Sequence, residues 1–175
     1  MDTSSAIGLI EGGIDKALPA QVWTDLGAGR GTFTNALAGL LDSKSIVYAV
    51  DKDQHALKQI TRPSHGAKII TRVADFTGED FYCLPSNGIL MANALHYVED
   101  QVAFLLKVRN KSLLPGGRVI VVEYNRDRPN PWIPFPVPFD RLNALALAAG
   151  FSTRVRIGEM PSVYDNGLMY STLMM

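Results

Sequence analysis

The run Asp25-Leu26-Gly27-Ala28-Gly29-Arg30-Gly31 puts three glycines at alternate positions behind an acid. Glycine permits tight turns that let a ligand touch the main chain. The run falls where an apolar, strand-like segment ends and a helical pattern begins. In an open α/β sheet, ligands bind outside the carboxyl ends of strands. Asp51 ends the next apolar segment, twenty residues after Gly31, and an acid there accepts hydrogen bonds from ribose hydroxyls. Asp75 and Phe76 follow a third such segment. A carboxylate beside an aromatic ring suits a base: one accepts from its amino group, the other covers its face. His96 lies just past a fourth apolar segment. It reads either as a general base toward a hydroxyl or as a residue that caps the following segment or packs beside the bound ligand.

Further candidates fall on the same side. Tyr97, Tyr124 and Asn125 sit at strand ends, and Trp132, Phe135 and Phe139 lie in or beside a proline-rich stretch. These aromatics read equally as the wall of an apolar acceptor pocket or as the pins of their own loop. Arg126 and Arg128 could receive an anion or simply be solvated. Tyr164, in a later loop, could reach the same mouth. Asp53 reads as a helix N-cap, and Glu79 and Asp80 as a solvated pair. His55 and His65 read as surface residues. No cluster has metal-ligand spacing, and the single cysteine, Cys83, leaves no intrachain disulfide and no cysteine-based zinc site.

The elements that must position these residues alternate. Residues 22–26, 46–50, 67–73, 87–92 and 118–123 read as buried strands. Residues 32–42, 53–60, 100–114 and 139–149 read as helices; Pro63 and Gly66 close the second, Pro115-Gly116-Gly117 the third and Gly150 the last. Two final strands, 153–158 and 168–173, have no helix between them and should pair antiparallel at one edge. Strands apolar on both faces and spaced by helices predict a mostly parallel sheet with helices on both sides. Residues 129–138 hold five of the ten prolines and read as a loop.

Composition bounds the rest. At 175 residues the chain is the size of one domain. Hydrophobic residues make up 47% and charged residues 19%, which excludes intrinsic disorder. Lys plus Arg equals Asp plus Glu at 17 each, so no general basic excess recommends nucleic acid or a membrane surface as partner. The longest apolar run, residues 144–149, falls far short of the ~20 residues that span a bilayer. The first residues show no basic leader before an apolar run. The expectation is a single domain, 1–175, in the cytoplasm.

From these motifs the sequence resembles the class I S-adenosylmethionine-dependent methyltransferases, closely over residues 20–125 and more loosely beyond. Residues 25–31 match the family's D/E-x-G-x-G-x-G loop, Asp51 its ribose-binding acid, and Asp75-Phe76 its adenine-side pair. The segment Asn93-Ala94-Leu95-His96-Tyr97-Val98 resembles the one after the fourth strand in small-molecule members. Leu114-Pro115-Gly116-Gly117-Arg118 resembles the turn before the fifth strand, with Leu114 in place of the usual basic residue. Asn87 stands where many relatives carry an acid. The resemblance implies a doubly wound, seven-stranded, three-layer α/β/α fold of Rossmann-like type, mostly parallel with an antiparallel last strand. It implies S-adenosylmethionine as cofactor, held by Asp25, Gly27, Ala28, Gly29, Gly31, Asp51, Lys52, Asp75, Phe76 and Asn93. It implies a small-molecule acceptor near Tyr97, Tyr124 and Trp132, with His96 as the catalytic candidate and no metal. There is no Asn-Pro-Pro-Tyr-like segment after the fourth strand, where amino-directed nucleic-acid methyltransferases carry one, and Cys83 lacks the Pro-Cys setting used against cytosine. A dinucleotide loop would need its third glycine at position 32, where Thr32 stands. The alternative within the family is a protein that binds the cofactor without catalysis, as a sensor or a subunit of a complex.

Overall fold

The computed structural model describes residues 1–61, 65–78, 84–162 and 167–175. Seven strands form one sheet: β1 (Val22–Leu26), β2 (Ile46–Asp51), β3 (Lys68–Val73), β4 (Ser86–Ala92), β5 (Leu113–Tyr124), β6 (Arg154–Pro161) and β7 (Leu168–Met174). Their order is β3-β2-β1-β4-β5-β7-β6. The first five run parallel, while β7 inserts between β5 and β6 and is antiparallel to both. This is the doubly wound architecture expected from the alternation of strand and helix patterns.

The two faces are covered by different helices. Strand residues Trp23, Val47, Ala49, Leu90 and Ile120 share one core with α1 (Thr3–Ile10), α2 (Thr32–Leu40) and α3 (Gln54–Leu57). Leu26, Val50, Ile89, Val119 and Val121 share the other with α4 (Gln101–Lys111) and α5 (Phe139–Ala148). A strand turns alternate side chains to opposite faces, so strands buried on both faces read as continuous apolar runs.

Several boundaries differ from the sequence reading. The first ten residues carry no strong periodic signal, yet α1 forms. Asp2 caps it by accepting from the Ser5 N–H at 2.8 Å, and Ala6, Leu9 and Ile10 are buried. The helix expected over 53–60 is one turn long, with Asp53 as its N-cap accepting from the amides of His55 and Ala56. The helix expected to run to residue 114 ends at Lys111. Leu113 to Gly117 extend β5 instead, because Leu113 pairs with Ser86 across a register shift in the neighbouring strand. Asn87 is a tie between strands: its Oδ1 accepts from the Val22 N–H at 2.8 Å. Pro63, Glu79, Asp80, Cys83 and Tyr164 lie outside the described residues. Among the described residues, no helix is long and apolar enough to cross a membrane.

Candidate functional site

The sheet order reverses at β1, whose neighbours are β2 on one side and β4 on the other. Such a switch point opens a crevice at the carboxyl ends of the strands, and the glycine loop lies there. Gly27 and Ala28 donate to the Val50 carbonyl at 2.9 and 3.0 Å, which folds the loop back over β2. Gly27 has φ +82°, and a Cβ there would stand 2.7 Å from the Ala94 Cβ. Only glycine lets β1's exit pack against the segment leaving β4. Gly29 has φ +52° and nothing within 4 Å of where its Cβ would be, so the left-handed backbone rather than crowding favours glycine there. Its amide donates to Asp51 Oδ2 at 2.8 Å, and Asp51 Oδ1 accepts from the Asp53 amide at 2.8 Å. These two bonds hold the Asp51 carboxylate at the rim while leaving lone pairs on both oxygens.

Three cavities converge here. The first, about 240 Å³, is lined by Asp25, Gly27, Ala28, Arg30, Asn93 and Tyr124 among others. The second, about 270 Å³, is lined by Gly27, Asp51, Lys52, Asp75, Phe76, Asn93 and Tyr97 among others. The third, about 510 Å³, is lined by Asn93, His96, Tyr97, Tyr124, Arg126, Asn130, Trp132 and Ile133. Asn93 borders all three. It is the one non-glycine residue with positive φ among those described, at +52°, and such strain gathers at functional positions.

The first cavity holds two buried acceptors, Asp25 Oδ1 and Asn93 Oδ1, without a partner among the described residues. Buried polar atoms left unpaired cost free energy, so the pair calls for a donor with several hydrogens, as an ammonium is. Burial pushes the Asp25 carboxyl up to about 7; the Thr34 hydroxyl donating to Oδ2 at 2.6 Å opposes this, and the charge of Asp51 adds to it. In the second cavity Thr77 holds Asp75 below the ordinary carboxylate range by donating through both its hydroxyl and its amide, and Lys52 Nζ lies 3.9 Å away. Phe76 is buried and meets Phe104 edge-on at 6.1 Å. The loop, the acids and the orphaned acceptors fit an amino-acid-bearing nucleoside, of which Asp25 would take the ammonium, Asp51 the ribose, and Asp75 with Phe76 the base.

His96 is neither exposed nor a helix cap. It sits on a 3-10 turn (Leu95–Tyr97) with 3% of its side chain exposed, and its Nδ1 is 2.7 Å from Oε2 of the equally buried Glu123. Oε1 of Glu123 accepts from the His96 amide at 3.2 Å. With the carboxylate accepting a hydrogen bond from Nδ1–H, the lone pair of the imidazole lies on Nε2. The Tyr97 ring packs against the imidazole, tilted by 52° with 4.4 Å between centroids. Burial, then the charges of Glu123 and Asp51, hold the Tyr97 hydroxyl above its ordinary range. Glu123 is the residue that sequence reasoning missed as chemistry. Twenty-seven positions separate it from His96, but β4 and β5 are adjacent and in register, with Ala92 opposite Val122. That register is the signal that brings the two together.

A crevice at the switch point, a glycine loop pressed against β4 and acids at three successive strand ends define a nucleotide-type cofactor protein of the open α/β class. A family model described as a methyltransferase domain matches residues 24–121, and the chain belongs to this family, the class I S-adenosylmethionine-dependent methyltransferases. S-adenosylmethionine is the family's cofactor.

Solved structures share the fold at low sequence identity. An arsenic(III) S-adenosylmethionine methyltransferase from Chlamydomonas reinhardtii is 16% identical with a TM-score of 0.70, over 93% of this chain and 65% of that one. A SAM-dependent methyltransferase from Leishmania major is 16% identical at 0.71, over 97% of this chain and 72% of that one. Human N-acetylserotonin methyltransferase in complex with SAM is 16% identical at 0.68, and the present chain spans 51% of its length. No curated protein matches the chain in sequence.

Proposed function

We propose that this protein transfers a methyl group from S-adenosylmethionine to a hydroxyl of a small molecule, with His96 as general base. His96 on the wall of the 510 Å³ cavity, paired with the buried Glu123, carries the reading. When bound, the cofactor would supply an electrophilic methyl group, whose bond to sulfur would break with its electrons left on sulfur as the acceptor oxygen bonded to carbon. Asp25, Gly27, Ala28, Gly29, Gly31, Asp51, Lys52, Asp75, Phe76 and Asn93 would hold it. His96 Nε2 takes the hydroxyl proton and later releases it to water. Glu123 remains a carboxylate throughout; it fixes the tautomer and stabilises the imidazolium that forms. Tyr97, Tyr124 and Trp132 exclude water and align the acceptor. An already ionised nucleophile such as a thiolate would not need this base, so the pair favours an acceptor that must lose a proton, and we read that acceptor as a hydroxyl. The balanced charge and the size of the cavity support a small molecule over a nucleic acid.

The test compares wild type with His96→Gln and Glu123→Gln on an acceptor found by screening. Removing a general base lowers turnover by roughly 10²–10⁴-fold, so His96→Gln should lose at least a hundredfold. Glu123→Gln should lose less, and S-adenosylhomocysteine should bind both variants as it binds wild type. Unchanged turnover in His96→Gln would remove the base role. Cofactor binding without transfer to any acceptor would favour the non-catalytic member of the family.

A further inference from the structure

Arg30 stands in the middle of the glycine loop, between two backbone positions that the fold pins. The Gly29 amide donates to Asp51 Oδ2 at 2.8 Å, and the Gly31 amide donates to the Ala28 carbonyl at 2.9 Å. The side chain between them is exposed and lines the 240 Å³ cavity. Among the described residues its guanidinium has no hydrogen-bond or ion-pair partner. It is the one described lining side chain with a permanent positive charge, and Asp25 is the one described lining carboxyl group. The helix that follows is open at the same end. The N-cap of α2 is Gly31, which has no side chain, and no other side chain caps the first-turn amides. Such amides carry partial positive charge and favour an anion. Thr32 and Phe33 of that turn also line the cavity.

One small space thus carries opposite demands. Asp25 Oδ1 and Asn93 Oδ1 are buried acceptors without a partner among the described residues, and Asp25 is 1% exposed. Arg30 and the open turn of α2 supply donors. Ala28, Phe33, Ala92 and Met169 add apolar wall. A lone anion would meet the Asp25 carboxyl, and a lone cation would meet the Arg30 charge. A zwitterion satisfies both, and an α-amino acid on a short methylene stem is such a group. We infer that Arg30 takes the carboxylate of the cofactor's amino-acid end, while Asp25 and Asn93 take its ammonium. The cavity thereby selects the intact amino acid over its decarboxylated form. Guanidinium and carboxylate are both planar and pair through two parallel bonds. The 270 Å³ cavity with Asp51 and Asp75 shares Gly27 and Asn93 with this one, so one molecule can span both. This selection needs neither a hydroxyl acceptor nor a base at His96, so it stands apart from the transfer step.

Calorimetry on cofactor-free protein tests this with four probes. S-adenosylhomocysteine carries both charges, its decarboxylated analogue only the amine, its deaminated analogue only the carboxylate, and 5′-methylthioadenosine neither. Wild type should bind S-adenosylhomocysteine roughly ten times or more tighter than the decarboxylated analogue, and the preference should shrink as salt rises. Arg30→Gln should bring the two within about threefold, by weakening only the probes that carry a carboxylate. Its affinity for methylthioadenosine should stay put, and that for the decarboxylated analogue should hold or rise, because a like charge has left. A mere distortion of the glycine loop would instead weaken every probe. Arg30→Lys, which keeps the charge and loses the fork, should retain part of the preference. Asp25→Asn should do the converse and shrink the preference for S-adenosylhomocysteine over the deaminated analogue. Equal binding of S-adenosylhomocysteine and the decarboxylated analogue by wild type would overturn the inference. So would an unchanged ratio in Arg30→Gln, as a merely solvated arginine would give, or an equal loss on all four probes.

Discussion

Asp25 carries opposing demands. A buried carboxylate with one unpaired oxygen suits an ammonium partner, but costs the fold when it ionises alone. Its carboxyl is raised to about 7, against an ordinary value of 3.8 in the unfolded chain. Between those values the folded state holds the proton and the unfolded state does not. The stability that Asp25 contributes is therefore full below about pH 4, falls as pH rises toward 7, and levels off above that. Asp25→Asn keeps the shape and removes the titration. The variant's gain over wild type should be larger at pH 8 than at pH 5 by about 2–3 kcal/mol, read from urea unfolding of cofactor-free protein. Equal gains at the two pH values would show that the carboxyl is not raised. S-adenosylhomocysteine should bind the same variant more weakly, since the ammonium loses its anionic partner. The acids at positions 25, 51 and 75 were legible in the sequence because each closes its own strand, a local pattern. Glu123 was not, because its meaning comes from the neighbouring strand. Nor was the strained backbone of Asn93, since asparagine sits in ordinary conformations in most contexts.

The strands place these residues, and β1 and β4 at the switch point do so most directly. Trp23 in β1 lies opposite Gly88 in β4. A Cβ on Gly88 would stand 2.5 Å from three atoms of the indole. The indole cannot easily yield: it is fully buried, and its Nε1 donates to Gln21 Oε1 at 2.9 Å. Gly88→Ala should cost about 1–3 kcal/mol as overpacking. In a Trp23→Leu background the same change should cost clearly less, since residues in contact do not act additively. Equal costs in the two backgrounds, measured by urea midpoints, would mean that the glycine serves some other purpose. Strand cores and the glycine loop were readable because apolar runs and turn chemistry are local. Helix ends were less so: α3 shrinks to one turn and α4 stops early because Leu113 is drawn into pairing with β4. The first helix escaped notice because eight residues containing a glycine give little periodicity, and packing rather than propensity sustains it.

At the scale of the molecule, that first helix ties the two ends of the chain together. Its Leu9 carbonyl accepts from the Ser171 hydroxyl of β7 at 2.5 Å, and a Cβ on Gly158 of β6 would lie 3.0 Å from the Leu9 Cα. Beyond the helix, Arg118 of β5 donates to Asp15 at 3.0 Å. Leu9 and Ile10 belong to the same core as Trp23 and Leu37. Residues 1–175 should therefore unfold as one domain, with tryptophan fluorescence and far-ultraviolet dichroism giving the same midpoint. Leu9→Ala deletes a buried side chain that lines none of the three cavities and should lower stability by about 2–5 kcal/mol. If the domain is cooperative, both signals shift together and stay superimposed. If the N-terminal segment is only appended, dichroism alone shows a small early loss and the fluorescence of Trp23 holds its original midpoint. Saturation with S-adenosylhomocysteine separates these outcomes further. A ligand at a hundred times its dissociation constant adds about 2.7 kcal/mol to whatever unit contains its site. In one cooperative domain that gain appears in full in the Leu9→Ala variant and raises both signals equally, although the substitution and the ligand sit on different parts of the sheet.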